Sequence, residues 1–315
     1  MSGVHRIALL AFALALTVTG GAFGGEAITT NQPADSLSFV DLDTMTTAGE
    51  LKLSGKPAGL ALSPDKKFAY VTAPDGKMLF EIDAAKRTVA RTLEVGGGPL
   101  GIAAHPVRPE IYVADWYFHK VVVVDTTALK AVAEITTGES PSGLAVTPDG
   151  KLLLSADRDS NQVSVIDTES RKVIATVPTG ERPFGVTIDA EGQRAYTANV
   201  ASDDVSIIDI AGRKVIGTVK TGRRPYAVAL AKGKGFVTDQ YVGTVTVFDT
   251  ATLQPVKTIE ACDHPEGIEA DAGGANVYVA CWGDNLLLKI DAASLEITGK
   301  ADVGDGPRAF GRFLR

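Results

Sequence analysis

Six residues flanking a repeated proline are of types that could hold an anion or a flat ring. Arg182 and Phe184 bracket Pro183, and Arg224 and Tyr226 bracket Pro225. Lys56 precedes Pro57, and Arg308 follows Pro307. Guanidinium groups offer planar, forked donors to carboxylates and phosphates, and aromatic faces stack on planar or cationic groups. His264 stands before Pro265 in the same register. Trp116, Tyr117, Phe118, His119, Tyr241 and Trp282 occupy a second set of short segments that the repeat places on the same side. A shallow pocket for an anionic or planar ligand is one reading of this set. Local pairing is the other: Asp115, Asp157, Asn199 and Asp239 end neighbouring strands, and Arg224 with Asp239 would then be a cross-strand pair of little consequence if exposed.

Other chemistries have weaker support. The chain has no Cys-x-x-Cys-His, no phosphate-binding glycine loop opening a helix, no Gly-x-Ser-x-Gly and no His-Glu-x-x-His. No catalytic residue, cofactor or metal site is assigned. A lactonase- or lyase-like enzyme is the alternative, with His264, His119, Glu266 or Asp263 as acid, base or metal ligand. It would need Glu266, Asp263, Asp157 and Asp239 to converge at one mouth, and the surrounding cations oppose that. Single-stranded nucleic acid stacked on Tyr226, Phe184 and the tryptophans is a third reading. The net charge of -7 disfavours it.

The elements that position these residues follow from an internal repeat. The proline recurs at Pro57, Pro99, Pro141, Pro183, Pro225, Pro265 and Pro307, in steps of 42, 42, 42, 42, 40 and 42. A second marker, Asp41, Asp83, Asp125, Asp167, Asp209, Asp249 and Asp291, keeps the same steps. Each unit holds four strand signals. Gly143–Val146 exemplifies the first (A), Ile111–Ala114 the second (B), Val121–Val124 the third (C) and Lys172–Val177 the fourth (D). Several are apolar throughout, which implies burial on both faces. Four antiparallel strands every 42 residues or so describe the blades of a seven-bladed β-propeller, an all-β fold. Ala27–Asn31 reads as a strand B and Pro307–Leu314 as a lone strand A. One blade is therefore expected to join C-terminal strand A to N-terminal strands B, C and D.

Repetition separates scaffold from site. The seven closing aspartates recur in every blade and are expected to accept backbone N–H groups and fix a turn. His105, in the place of the Ser or Thr of the Ser/Thr-Pro-Asp turns, is assigned to the same turn chemistry. The residues around each proline differ from blade to blade, so the D–A and B–C connections mark the candidate ligand face. Cys262 precedes strand A of its blade and Cys281 ends the adjacent antiparallel strand B, which predicts a disulfide.

The ends of the B strands, Tyr70-Val71-Thr72-Ala73, Tyr112-Val113-Ala114-Asp115, Tyr196-Thr197-Ala198-Asn199, Phe236-Val237-Thr238-Asp239 and Tyr278-Val279-Ala280-Cys281, resemble the signature of the YVTN-type β-propeller repeat family. The resemblance covers essentially the whole chain after residue 24. It implies the fold, and a setting among exported binding proteins and partners of periplasmic quinoprotein dehydrogenases. More distant propeller lactonases and lyases share the architecture, so fold alone does not decide activity.

Composition agrees. With 315 residues, 45% of them apolar, the chain can bury a large core, and 33 glycines suit a chain that turns often. Arg6, the apolar run from Ile7 to Val18 and the small residues of Gly20 to Gly25 read as a cleaved signal peptide over residues 1–24, leaving the propeller in 25–315. The expected product is a periplasmic or secreted, monomeric, non-catalytic propeller with no membrane span in its mature chain. It would bind an anionic small molecule, a cofactor or a periplasmic protein partner.

Overall fold

The computed structural model describes residues 25–315; residues 1–24, with the expected leader, lie outside the described residues. The chain forms a seven-bladed propeller. The inner strands of blades one to six are Gly59–Leu62, Pro99–Ala104, Pro141–Val146, Pro183–Ile188, Pro225–Ala231 and Pro265–Ala270, each leading a four-stranded antiparallel meander. The seventh blade is built from both ends of the described chain. Glu26–Asn31, Ser36–Asp41 and Thr46–Lys52 are its outer three strands.

The C-terminal segment closes the ring. Pro307 bridges Asn31 and Leu314 bridges Ala27, both antiparallel. The backbone N–H of Arg308 donates to the Thr30 carbonyl at 2.7 Å, and that of Ile28 to the Phe313 carbonyl at 3.0 Å. Between the two bridges, Phe310–Gly311 turns to the other side and pairs in parallel with Gly59–Leu62 of blade one. The expected lone strand A is therefore present but divided, touching the last blade and the first. Buried Glu269 holds its end, accepting the N–H groups of Phe313 at 2.5 Å and Leu314 at 2.8 Å.

Burial follows strand order. Strands such as Lys120–Asp125 are buried almost throughout because a sheet covers each face. The core lies between blades: Leu154 and Val165 of blade three pack with Ala195 and Ile208 of blade four. The outermost strands depart from the apolar expectation, since Lys172–Pro178 alternates and leaves Ile174 exposed. The innermost strands approach so closely that a side chain on Gly101 or Gly143 would collide with the carbonyl of Ser142 or Phe184 in the next blade. The glycine two residues after the proline is therefore a packing requirement in the five blades that carry it, and Ala227 and Ala309 take its place in the other two.

The closing aspartates behave as scaffold. Asp41, Asp125, Asp167 and Asp291 each accept a backbone N–H three residues on, at 2.7–2.8 Å. His105 Nδ1 accepts the N–H groups of Val107 and Arg108, which leaves Nε2 to donate to the Gly150 carbonyl at 3.0 Å. Burial, with Arg108 adding to it, holds this imidazole below its ordinary range.

Candidate functional site

Five of the seven residues before a repeated proline sit in a latch between blades. Lys56, Ser140, Arg182, Arg224, His264 and Gly306 all have φ between 52° and 62°. Side chains rarely adopt this region unless the surroundings impose it. At five of these positions they do: the N–H group of Lys56, Ser140, Arg182, Arg224 and Gly306 is captured by the B–C loop of the preceding blade. Arg182 N–H donates to Asn161 Oδ1 and Arg224 N–H to Asp203 Oδ1, both at 2.8 Å; Lys56 N–H donates to Asp35 Oδ1 at 2.9 Å. His119 plays the same part, its Nδ1 accepting Ser140 N–H at 3.0 Å. That bond gives His119 a scaffold role that the sequence did not reveal.

The latches fix one mouth of the central channel. A cavity of about 340 Å³ opens there, lined by Trp116, Arg158, Phe184, Arg224, Tyr226 and Arg308 together with Gln240, Leu100 and their neighbours. Its floor is aromatic. Phe184 lies 4.6 Å from Tyr226 and 4.9 Å from Phe310 between ring centroids, and Trp116 meets Phe184 edge-on at 6.2 Å. Phe310 reaches a larger cavity of about 560 Å³ at the opposite mouth, so this cluster plugs the channel between the two.

The opposite cavity is less suited to recognition despite its size. Its walls are inner-strand aliphatic residues that recur from blade to blade, such as Ile102, Leu144, Val186 and Ile268. Its charged and imidazole groups are engaged in structure: Glu269 with Arg312 and the C-terminal N–H groups, His105 with its turn.

Two arginines at the smaller cavity share one carboxylate, and a third has none. Arg158 Nη1 bonds Asp159 Oδ1 at 2.7 Å, and Arg182 Nε stands 3.9 Å from the same oxygen. Arg224 makes no ion pair among the described residues. It lies over the Tyr241 ring, 4.7 Å from the centroid, and donates from Nη1 to the Tyr241 hydroxyl at 2.8 Å. Burial holds Arg158 below its ordinary range; Asp159 opposes this, while the positive charges of Arg182 and Arg224 add to it. Arg158 begins the 3₁₀ turn Arg158–Ser160 and stacks over Trp116 at 5.4 Å.

The pairing alternative fails for Arg224. Asp239 instead lies beneath the blade and accepts the hydroxyls of Thr244 at 2.9 Å and Thr246 at 2.7 Å. Asp157 is likewise held by Ser155 at 2.7 Å and by Ser164. Burial raises both carboxyls, Asp239 to about 6. These groups, Glu266 and Asp263 do not converge: among the described residues no cluster of three or more His, Cys, Asp or Glu side chains could hold a metal ion.

Of the site residues expected from the sequence, Trp116, Phe184, Arg224, Tyr226 and Arg308 meet in this cavity. Arg182 flanks it. Lys56 is outside the lining and paired with Asp35 at 3.0 Å. His264 lies on the rim, bonded to Asp263 at 2.6 Å and edge-on to Tyr241 at 6.2 Å, with Trp282 behind it at 6.0 Å. Cys262 and Cys281 form the expected disulfide. Arg158 and Gln240 were missed. Both belong to a third variable register, the residue just after each strand B, where Gln32, Pro74, Trp116, Arg158, Val200, Gln240 and Trp282 stand. That register was present in the repeat and would have revealed them.

Comparison with known proteins adds a setting. Residues 150–281, less than half of the chain, match the family described as the cytochrome D1 heme domain. No curated protein sequence matches. The fold is similar to that of hydrazine synthase from Kuenenia stuttgartiensis (TM-score 0.71, 20% identity, 81% of this chain and 89% of the other). It is also similar to a functionally unknown protein from Desulfotomaculum acetoxidans (TM-score 0.76, 17% identity, 91% and 99%). A third similar structure is the dihydro-heme d1 dehydrogenase NirN in complex with DHE (TM-score 0.68, 14% identity, 92% and 74%). At these identities the likeness is one of fold. Among the described residues no helix is long and apolar enough to cross a membrane.

Proposed function

We propose that this protein is an exported propeller of the YVTN-repeat type that binds a planar, anionic small molecule at the mouth carrying Arg158, Arg182 and Arg224. The observation that carries this reading is the gathering of three guanidinium groups with a single carboxylate, held by Arg158 and approached by Arg182, while Arg224 has none, above an aromatic floor. Like charges gathered this way repel one another, and a ligand carboxylate or phosphate would relieve that repulsion through charge-assisted bonds. The cavity volume lies within the usual range for small-molecule sites. Export and a periplasmic, respiratory setting accord with the leader-like residues 1–24 and with the heme-related similarities.

A tetrapyrrole like those named for the similar proteins would suit the site in its plane and its carboxylates. Its iron would not find the usual nitrogen or sulfur ligand, since no His, Cys or Met lines the cavity among the described residues. The phenol of Tyr226 is a poor substitute. Burial, with Glu266 adding to it, drives its ionisation well above the ordinary value. The ligand class proposed is therefore a flat carboxylate recognised through its ring and charge, with no step assigned to a metal.

Titration with a naphthalene monocarboxylate, followed by tryptophan fluorescence, tests the reading. Saturable binding is expected, falling with salt and weakened roughly tenfold or more by Arg224→Ala, the scale of one charge-assisted hydrogen bond. Equal affinity for the carboxylate and for uncharged naphthalene methanol would overturn it.

A further inference from the structure

The same mouth has a second, chemically different side. Around the ring, the arginine group belongs to blades three to five. Across blades five to seven the variable registers carry Tyr226, Gln240, Glu266, Trp282 and Arg308. Glu266 and Arg308 follow prolines whose counterparts in blades one to three are followed by Ala58, Leu100 and Ser142. Charged side chains at this register occur only in blades six and seven.

These groups are under-satisfied. Among the described residues Gln240 Oε1 and Trp282 Nε1 have no hydrogen-bond partner, and Tyr226 Oη, whose nearest candidate is Glu266, has none of good geometry. Arg308 Nε and Glu266 Oε2 stand 2.9 Å apart as an ion pair, but are so poorly aligned that both keep their hydrogen-bonding capacity. Gln240 Nε2 donates to the other Glu266 oxygen at 2.5 Å, which leaves Gln240 Oε1 as a buried acceptor without a partner among the described residues. Glu266 is 1% exposed, Tyr226 4% and Gln240 8%. Buried polar atoms nearly always have partners, and an unpaired one costs about 1–3 kcal/mol. Of the ten buried side-chain atoms without partners in the described chain, five are here and a sixth is Arg224 Nε beside them.

Resting on the anionic-site reading, we propose that this side is a subsite for an uncharged edge with both donor and acceptor, such as a carboxamide, imide or lactam. Gln240, Tyr226 and Arg308 line the cavity, so the N–H of such an edge would meet the Gln240 oxygen, which Glu266 holds in place, and its carbonyl would meet Tyr226 or Arg308. The ligand is then asymmetric: a flat body over Phe184 and Tyr226, a carboxylate toward Arg158 and Arg224, and an amide-type edge toward Glu266. A second carboxylate at that edge would face a buried acid and be rejected.

Three probes separate this inference from the reading beneath it: a naphthalene monocarboxylate, the corresponding dicarboxylate and its half-amide. The half-amide is expected to bind roughly tenfold tighter than the monocarboxylate, with the dicarboxylate no tighter than the latter. Glu266→Gln and Gln240→Leu should each abolish the half-amide preference, read as the ratio of half-amide to monocarboxylate affinity within the same variant, in variants whose melting temperature shows a folded protein. An unfolded Glu266→Gln leaves the test to Gln240→Leu, whose partner Glu266 keeps its ion pair. A half-amide that binds no better than an Arg224-dependent monocarboxylate overturns the amide subsite and leaves the anionic site standing. A preference that survives both substitutions also overturns it. Failure of the monocarboxylate to bind overturns both.

Discussion

Arg224 and Tyr241 form a unit in which the guanidinium lies 4.7 Å over the ring while its Nη1 bonds the Tyr241 hydroxyl at 2.8 Å. The residues are 17 positions apart and are brought together by the backbone, the Gln240 N–H donating to the Arg224 carbonyl at 3.0 Å and the Tyr241 N–H to the Arg223 carbonyl at 3.2 Å. With no carboxylate partner, Arg224 is kept in place by an aromatic face and one neutral acceptor, so its charge stays available. Tyr241→Ala should release the side chain and weaken carboxylate binding about 3- to 10-fold, the scale of an exposed cation–π contact plus a hydrogen bond. Tyr241→Phe, which keeps the face, should cost less. Melting temperature should hardly move, because Tyr241 is 54% exposed. Equal losses of affinity in the two variants would show that the face does not position Arg224.

The fold was legible because it is written as a period. Two markers in one register fixed blade number, strand order and closure, since each blade must solve the same packing problem. The ligand face was legible only in part. Phe184 and Tyr226 stood out because they differ from their counterparts, and so did Arg308. The direction of a side chain does not follow from its register. Lys56 and Arg182 share the position of Arg224, yet one is paired with Asp35 and the other flanks the cavity. His119 shares its position with Asp35, Asn161 and Asp203, and reading it as a latch required knowing that those side chains reach the next blade.

Asp239 predicts a pH dependence of stability. Burial raises its carboxyl to about 6, against about 4 in an unfolded chain. The folded state therefore binds the proton more tightly, and its contribution to stability is full below about pH 4 and lost as pH rises through about 6. The shift corresponds to roughly 2–3 kcal/mol. Blade four places Asn199 at the equivalent position, bonding Ser206 at 2.9 Å. Asp239→Asn should hence be tolerated and should flatten the fall in melting temperature between pH 4 and 7 relative to the wild type. Parallel curves for the two proteins would exclude Asp239 as the titrating group.

Closure of the ring depends on Glu269, whose carboxylate gathers the N–H groups of Phe313 and Leu314 and the Arg312 guanidinium. Glu269→Ala leaves buried donors unpaired, at about 1–3 kcal/mol each. The C-terminal segment should then be cut early by proteases, and the melting temperature should drop by several degrees. Deleting residues 307–315 goes further, baring the edges of Glu26–Asn31 and Gly59–Leu62, and should produce aggregation. A truncated protein that melts like the full chain and stays monomeric would show that the ring does not need this segment.

The disulfide replaces a hydrogen-bonded staple used elsewhere in the ring. In blade three the carboxylate of Asp157, the last residue of strand B, accepts the Gly138 N–H at 2.9 Å, tying the D–A crossover to the sheet. Blade six has Cys262 and Cys281 in those two places and ties them covalently. Closing a loop with a sequence separation of 19 stabilises by roughly 3 kcal/mol in the chain-entropy account. The oxidised protein should show no alkylatable thiol until it is reduced. Cys262→Ser with Cys281→Ser should lower the melting temperature. Cys262→Gly with Cys281→Asp, which copies blade three, should recover part of that loss, because the glycine N–H regains a carboxylate acceptor. Blade six has Val279, Leu286 and Leu288 where blade three has Ser155, Gln162 and Ser164, so the new carboxylate would lack three of its donors. The recovery should therefore be incomplete, and larger when Leu288→Ser restores a hydroxyl opposite the carboxylate. A Gly–Asp variant no more stable than the double serine variant would mean that the crossover of blade six is held by the covalent bond alone.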